Sequence, residues 1–322
     1  MKWKDKLLSS SLPLEYEVAK MLAGQGFSIN FDYAYKRLDA VLEKEFSIDI
    51  QSLAWYPFRH KAGIKMGIDI LVECKYRNPN VSWLFLHDLN LKDYSNFSTY
   101  GPIKMVDEFS EVVAKKGVKK ISDCQICLKG MEINTQNGEV HDTGIAHGIS
   151  QLVYALPSVL YQRIFASLVD HLSEVRPFIL CPILVTTAPL RIIKPEFSIA
   201  EVMNASELND ISYEVPYLSM YNSMYPSFGA HCKEIFKNII SEGKQDRFEH
   251  FKSLRKLPKD KDNLPLLSEW RSQPELLLLD LQLGHVGNIF RETLICNFNH
   301  LPSLLKHLKS SIEHAGKSLT KL

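Results

Sequence analysis

The stretch Ile68-Asp69-Ile70-Leu71-Val72-Glu73-Cys74-Lys75 is apolar, β-branched and closed by two opposite charges one residue apart. Side chains alternate faces along a strand. Glu73 and Lys75 therefore point one way, and Ile68, Ile70 and Val72 point the other, into a core. A carboxylate and an ammonium on one face of a strand end have two readings. One is a rim salt bridge, which contributes little. The other is half of a metal-dependent phosphodiesterase site, and the residues around the stretch decide between them.

Upstream, Glu45-Phe46-Ser47-Ile48-Asp49-Ile50-Gln51 alternates. The period assigns Phe46, Ile48 and Ile50 to an apolar face and Ser47, Asp49 and Gln51 to a polar one. Asp49 is thus expected mid-strand, on the polar face. Residues 55–66 read as a connection, and Phe27 to Tyr35 as a first strand. Before it, Leu14, Val18, Met21 and Leu22 share a helical face between Pro13 and Gly24. Glu15 lies roughly 60° from the centre of that face and Glu17 roughly 100° away on the other side. Glu15 borders the buried side and Glu17 is better solvated.

Downstream, Tyr76-Arg77-Asn78-Pro79 reads as a turn and Trp83-Leu84-Phe85-Leu86 as a short strand or loop anchor. Phe109 to Val113 looks helical, Lys115 to Lys120 is a basic loop, Ile126 to Ile133 a strand and Asn137-Gly138 a turn. Asp142 or Thr143 can cap a long helix through Ile145, Ile149, Leu152, Val153 and Leu156. Pro157 is expected to kink or divide it before Leu160 to Leu172 continues. Phe178 to Val185 is a buried strand in which Pro182 argues against an unbroken central ladder. Ser206 to Met224 has no clear period. Cys232 to Ile240 is a helix, residues 244–263 are dense in charge, and Leu277-Leu278-Leu279 is a buried segment. Thr293 to Cys296 is a last strand, before a helix through Leu304, Leu305 and Leu308.

The chain has 322 residues, 45% hydrophobic and 23% charged, which suits one large or two ordinary globular domains. No apolar run is long enough to span a bilayer, so no membrane partner is expected. The opening Met1-Lys2-Trp3-Lys4 lacks the pattern of a signal peptide, so a cytoplasmic location is the expectation. Six cysteines in such a chain read as free thiols. A formal net charge of +1 neither favours nor excludes nucleic acid, so any DNA contact requires a local basic patch. Lys115–Lys120 and the basic residues between Lys244 and Lys261 are the candidates.

Taken in order, the first 190 residues read helix, strand, strand, strand, insertion, helix, strand. Asp49 followed by Glu73-Cys74-Lys75, with Glu15 on the first helix, resembles the PD-(D/E)xK nuclease superfamily, the restriction-endonuclease-like fold. Leu14-Glu15-Tyr16-Glu17-Val18-Ala19 is similar to the opening helix of its Mrr-type members. Ile48 stands where the named pattern has proline. The likeness spans roughly residues 12–190. It implies an α/β fold: an αβββαβ core with a mixed central sheet flanked by helices. The core occupies 1–190, with an insertion at about 80–140, and an α+β region follows over 191–322.

The implied activity is metal-dependent endonucleolytic cleavage of DNA in restriction or defence, with other subunits of a defence system as partners. The alternative is a catalytically silent DNA-binding or scaffolding protein that keeps the fold. Phosphodiester hydrolysis builds negative charge on an already anionic phosphorus, and a hard divalent ion needs oxygen ligands to offset it. The resemblance makes Mg²⁺ (or Mn²⁺) the ion and Asp49, Glu73 and the Cys74 carbonyl its ligands. Lys75 sits against the phosphate and the attacking water, and Glu15 reaches a second metal or a metal-bound water. Asp69 shares the face of Glu73 but stands about 13 Å along the strand, too far for one ion. Gln51 and Gln151 are weaker candidates for the same site. Cutting both strands of a duplex takes two sites, so a homodimer is expected. Separately, Cys124-x₂-Cys127 with His141 and His147 fits a zinc-site spacing. Leu128, Met131 and Ile133 fill the interval where a zinc finger carries an aromatic and a leucine, so zinc is the lesser reading there.

Overall fold

The computed structural model describes residues 2–39, 42–57, 65–89, 104–107, 110–111, 124–169, 178–222, 226–237 and 290–320. Thirteen strands among them form one sheet: β1 (Ser28–Asp39), β2 (Leu42–Pro57), β3 (Lys65–Lys75), β4 (Val81–His87), β5 (Lys104–Asp107), β6 (Ser110–Glu111), β7 (Ile126–Asn134), β8 (Val140–His141), β9 (Phe178–Thr186), β10 (Leu190–Ile193), β11 (Ser212–Val215), β12 (Tyr217–Tyr221) and β13 (Glu292–Asn297). The helices are α1 (Lys2–Ser9), α2 (Leu12–Gly24), α3 (Thr143–Val169), α4 (Ile199–Asn204), α5 (Leu208–Ile211), α6 (Pro226–Phe236) and α7 (Leu301–Thr320).

The sheet runs β1-β2-β3-β9-β13-β12-β7-β4-β10-β11. β1, β2 and β3 form an antiparallel meander. β3 then pairs in parallel with β9, from Gly67 opposite Phe178 to Lys75 opposite Thr186. The connection between them carries β4 to β8 and the helix α3. β13 is parallel to β9 on its other side. Strands from either side of residue 190 thus belong to one mixed sheet, with helices on both faces.

One face carries α2 and α7. Leu14, Val18, Ala19 and Leu22 of α2 and Leu301, Leu304, Leu305 and Leu308 of α7 pack there on Ile50, Ile68, Ile70, Val72, Ile183 and Leu294. The other face carries α3 and α6, where Ile145, Leu152, Val153, Leu156, Phe228 and Phe236 cover Tyr33, Tyr35, Ile48, Leu71 and Leu184. β3 is covered on both faces, which is why its sequence is a near-continuous apolar run. No helix among the described residues is long and apolar enough to cross a membrane.

Several expectations change. Ile48 and Ile50 do not share a face: they pack in the two opposite cores. The β1–β2 register skips one pair between them, passing from Phe31 opposite Ile50 to Tyr33 opposite Ile48. Asp32, opposite Asp49, takes a left-handed φ of 52°, a conformation that aspartate tolerates. Trp55–Pro57 and Lys65–Met66 extend β2 and β3 rather than forming a connection. Ser110–Glu111 is a strand on β5, not part of a helix. Pro157 does not divide α3, which runs from Thr143 to Val169 with the proline inside.

The β3–β9 register also passes unbroken through Pro182, opposite Leu71. On the other edge β9 is paired by β5 up to Leu180 and by β13 from Ile183, so the proline falls in the gap between two partners. The aperiodic stretch after Ser206 holds α5, β11 and β12, too short to show a period. The helix expected from Cys232 begins earlier, at Pro226. Lys115–Lys120, residues 244–263 and Leu277–Leu279 lie outside the described residues.

Candidate active site

β2 and β3 stay paired up to Ile50 opposite Val72 and then separate. Asp49 fills the opening. Its Oδ2 accepts the Cys74 backbone N–H at 2.6 Å, so the carboxylate takes the place of the missing ladder bond. Glu73, 1% exposed, points toward the α3 face, and its Oε1 accepts from Lys75 Nζ at 2.6 Å. The alternation read from sequence is realised: both charges lie on one side of β3. Glu73 Oε2 is buried with no hydrogen-bond partner.

α2 brings Glu15 to the same place from the other face of the sheet. Pro13 in its first turn and the buried row Leu14, Val18 and Leu22 fix its rotation, leaving Glu15 half-buried beside Asp49. Burial and then Asp49 and Asp32 push the Glu15 carboxyl up to about 7, against the pull of Lys75. Burial and then Asp49 raise Glu73 to about 7 as well, even with Lys75 bonded to it. Asp49 is also raised, chiefly by burial, although the Cys74 N–H and Lys75 favour its charge. Burial and the surrounding acids Asp49, Glu15 and Glu73 hold the Cys74 thiol well above its usual range. Asp49 and Glu73 stand beside Lys75, and Glu15 and Asp32 add their charge to that of Asp49, an excess of negative charge that a cation would relieve.

α3 closes the site. Gln151 accepts from Lys75 Nζ at 3.5 Å and donates to the Ser47 carbonyl at 3.1 Å. The helix comes this near because of Gly148, where a Cβ would lie 2.7 Å from Leu184 Cδ1 and 3.4 Å from Lys75 Cε. One turn earlier, a side chain at Gly144 would collide with the Arg77–Glu132 ion pair.

Asp69 lies elsewhere. It is fully buried, and Arg163 of α3 donates to both its oxygens, at 2.7 and 2.6 Å. Gln51 donates to Asp69 rather than reaching the Asp49 site. Cys127 is buried, Cys124 half-buried, and His141 and His147 exposed. Among the described residues, no group of three or more His, Cys, Asp and Glu side chains is arranged to hold a metal. Asp32 carries no signal in the sequence that marks it for this site. Its strand period is that of an ordinary β1, and only its left-handed backbone sets it apart.

The raised carboxylates have a consequence for stability. A folded-state pKa above the unfolded one gives stability that is present at low pH and lost as pH rises, here between about 4.5 and 7 for Glu73. Glu73→Gln removes that loss. Its melting temperature at pH 8 is expected to exceed that of the native protein by about 2–4 °C, and the gap to close toward pH 5. Thermal melts across this range check it; a gap that does not shrink at low pH rules out ionisation of the buried Glu73 as its cause.

Comparison with family models, with curated proteins and with solved structures yields no match for this chain.

Proposed function

We propose that this protein is a metal-dependent DNA endonuclease of the PD-(D/E)xK kind, with Asp49, Glu73 and Lys75 as its catalytic core. The observation that carries the reading is the buried, partnerless Glu73 Oε2 beside Asp49, in a cluster of acids with raised pKa. An all-oxygen donor set suits a hard ion such as Mg²⁺ or Mn²⁺. The order α2-β1-β2-β3-α3-β9, with β3 parallel to β9, supports the restriction-endonuclease-like core.

Asp49 and Glu73 would hold the ion, with the Cys74 carbonyl as a third donor. When bound, it lowers the pKa of a water and offsets charge on the phosphate. Asp49 is held in place by the Cys74 N–H, so little rearrangement is asked of it. Lys75, steadied by Gln151, faces the developing charge on the phosphate oxygens. Glu15, near 7, is suited to take a proton from the attacking water at neutral pH. Lys75 already holds Glu73 Oε1, and that ion pair favours the second reading, a silent DNA-binding protein in which the Lys75–Glu73 pair stands in for the metal.

The test is cleavage of supercoiled, linear and single-stranded DNA with Mg²⁺, Mn²⁺ or EDTA. Cutting that needs the ion is expected. DNA binding without cutting of any form, in either metal, replaces the nuclease reading with the silent one.

A further inference from the structure

A second group of polar side chains stands on the α3 side of the acids. Arg37 of β1 lays its guanidinium over the Tyr154 ring, 3.8 Å from the centroid, and 5.5 Å from that of Phe46. Its Nη1 donates to Ser150 Oγ at 3.4 Å. His147 lies one turn before Ser150 and Gln151 on α3 and is exposed. It is held below its ordinary pKa by partial burial and then by two cations, Lys75 and Arg37. Residues 147, 150, 151 and 154 of α3 recur at the helical period and so line one face. That face runs from Lys75, through Gln151, to Arg37.

Arg37 is held by stacking and by Ser150, which costs it little freedom when it meets a planar anion. A nucleic-acid strand presents phosphates at regular spacing. A strand with one phosphate on Lys75 places its neighbour along this wall.

We propose that Arg37, His147 and Ser150 form a second phosphate subsite that holds the phosphodiester next to the one being cut. This rests on the nuclease reading for the position of the first phosphate. A wall that positions the strand contributes to binding and register, while the acids contribute to cleavage, so the two are separable.

The experiment measures binding of a fluorescein-labelled 16-base-pair DNA duplex in EDTA, across a series of salt concentrations, for native protein, Arg37→Gln, Arg37→Lys, His147→Gln and Asp49→Asn. Each phosphate contact contributes about 0.9 to the slope of log affinity against log salt. Arg37→Gln is expected to weaken binding about tenfold and to lower the slope by about 0.9. Arg37→Lys keeps most of the slope and shows that the loss is of charge rather than of folding. His147→Gln weakens binding at pH 6 more than at pH 8. Asp49→Asn binds more tightly than native protein, because it removes a negative charge from the path of the strand. Equal affinity and slope in native protein and Arg37→Gln overturn the subsite, as does a native protein that does not bind the duplex. If the slopes change as stated while no metal supports cutting, the subsite stands as a nucleic-acid contact and the nuclease reading alone falls.

Discussion

Asp49→Asn and Lys75→Ala are each expected to lower metal-dependent DNA cleavage by ~100-fold or more, the scale of removing one preorganised charged group from a reaction centre. Asparagine at 49 is the informative change. Its amide oxygen can still accept the Cys74 N–H, so the opening between β2 and β3 stays bridged while the charge that would hold the ion is gone. Loss of cutting in a variant with a native melting curve therefore reports on chemistry, not folding. Lys75→Ala acts differently. It removes the ammonium from Glu73, whose charged form is already disfavoured by burial and by Asp49, and so weakens both phosphate binding and the acid itself. Lys75→Arg keeps the charge but not the compact ammonium, and an intermediate loss is expected. Cutting that survives both Asp49→Asn and Lys75→Ala places the active site elsewhere in the chain.

Asp69→Ala is expected to be the most damaging change to stability, by about 3–5 kcal/mol, with activity per folded molecule retained. Asp69 is fully buried and accepts from Nε and Nη2 of Arg163, whose side chain is 21% exposed. Truncating the acid leaves a guanidinium in the core without its counter-charge, and the cavity adds to the cost. The double change Asp69→Leu with Arg163→Met removes both charges and is expected to recover most of the loss. Urea unfolding of the single and double variants measures this. A single-variant loss below about 1 kcal/mol shows that the pair is solvated in solution. The contrast with Asp49 separates two acids of one sheet: one holds α3 to β3, the other stands in the proposed active site.

The order of elements around the site is legible because each has a local signal. The β-branched run of β3, the apolar row of α2 and the long apolar helix α3 each satisfy a period within one segment. The shared side of Glu73 and Lys75 follows from the same two-residue period and is realised as a 2.6 Å ion pair. Where the local rule meets a long-range constraint it can fail. Pro157 reads as a break but sits inside a continuous helix. Pro182 also reads as a break, and it does mark one: the ladder on one edge of β9 is interrupted there, between β5 and β13, while the edge paired with β3 runs on.

Local periods in the sequence mark the existence and order of strands β1 to β3, β7 and β9 and helices α2 and α3, and the acids those elements carry, because backbone geometry and side-chain period are properties of a few consecutive residues; the full extents of β2 and β3 and the continuity of α3 through Pro157 came only with the fold. Long-range packing set the rest. It sent Ile48 and Ile50 to opposite cores, on either side of the left-handed Asp32 and the skipped pair in the register. It placed β13, more than a hundred residues downstream, beside β9. It gave Asp69 to Arg163, and it brought Lys75 and Arg37 close enough to His147 for their charges to act on it. These are pairings between distant segments, set by how the two helical layers close on one sheet, and no local period encodes them.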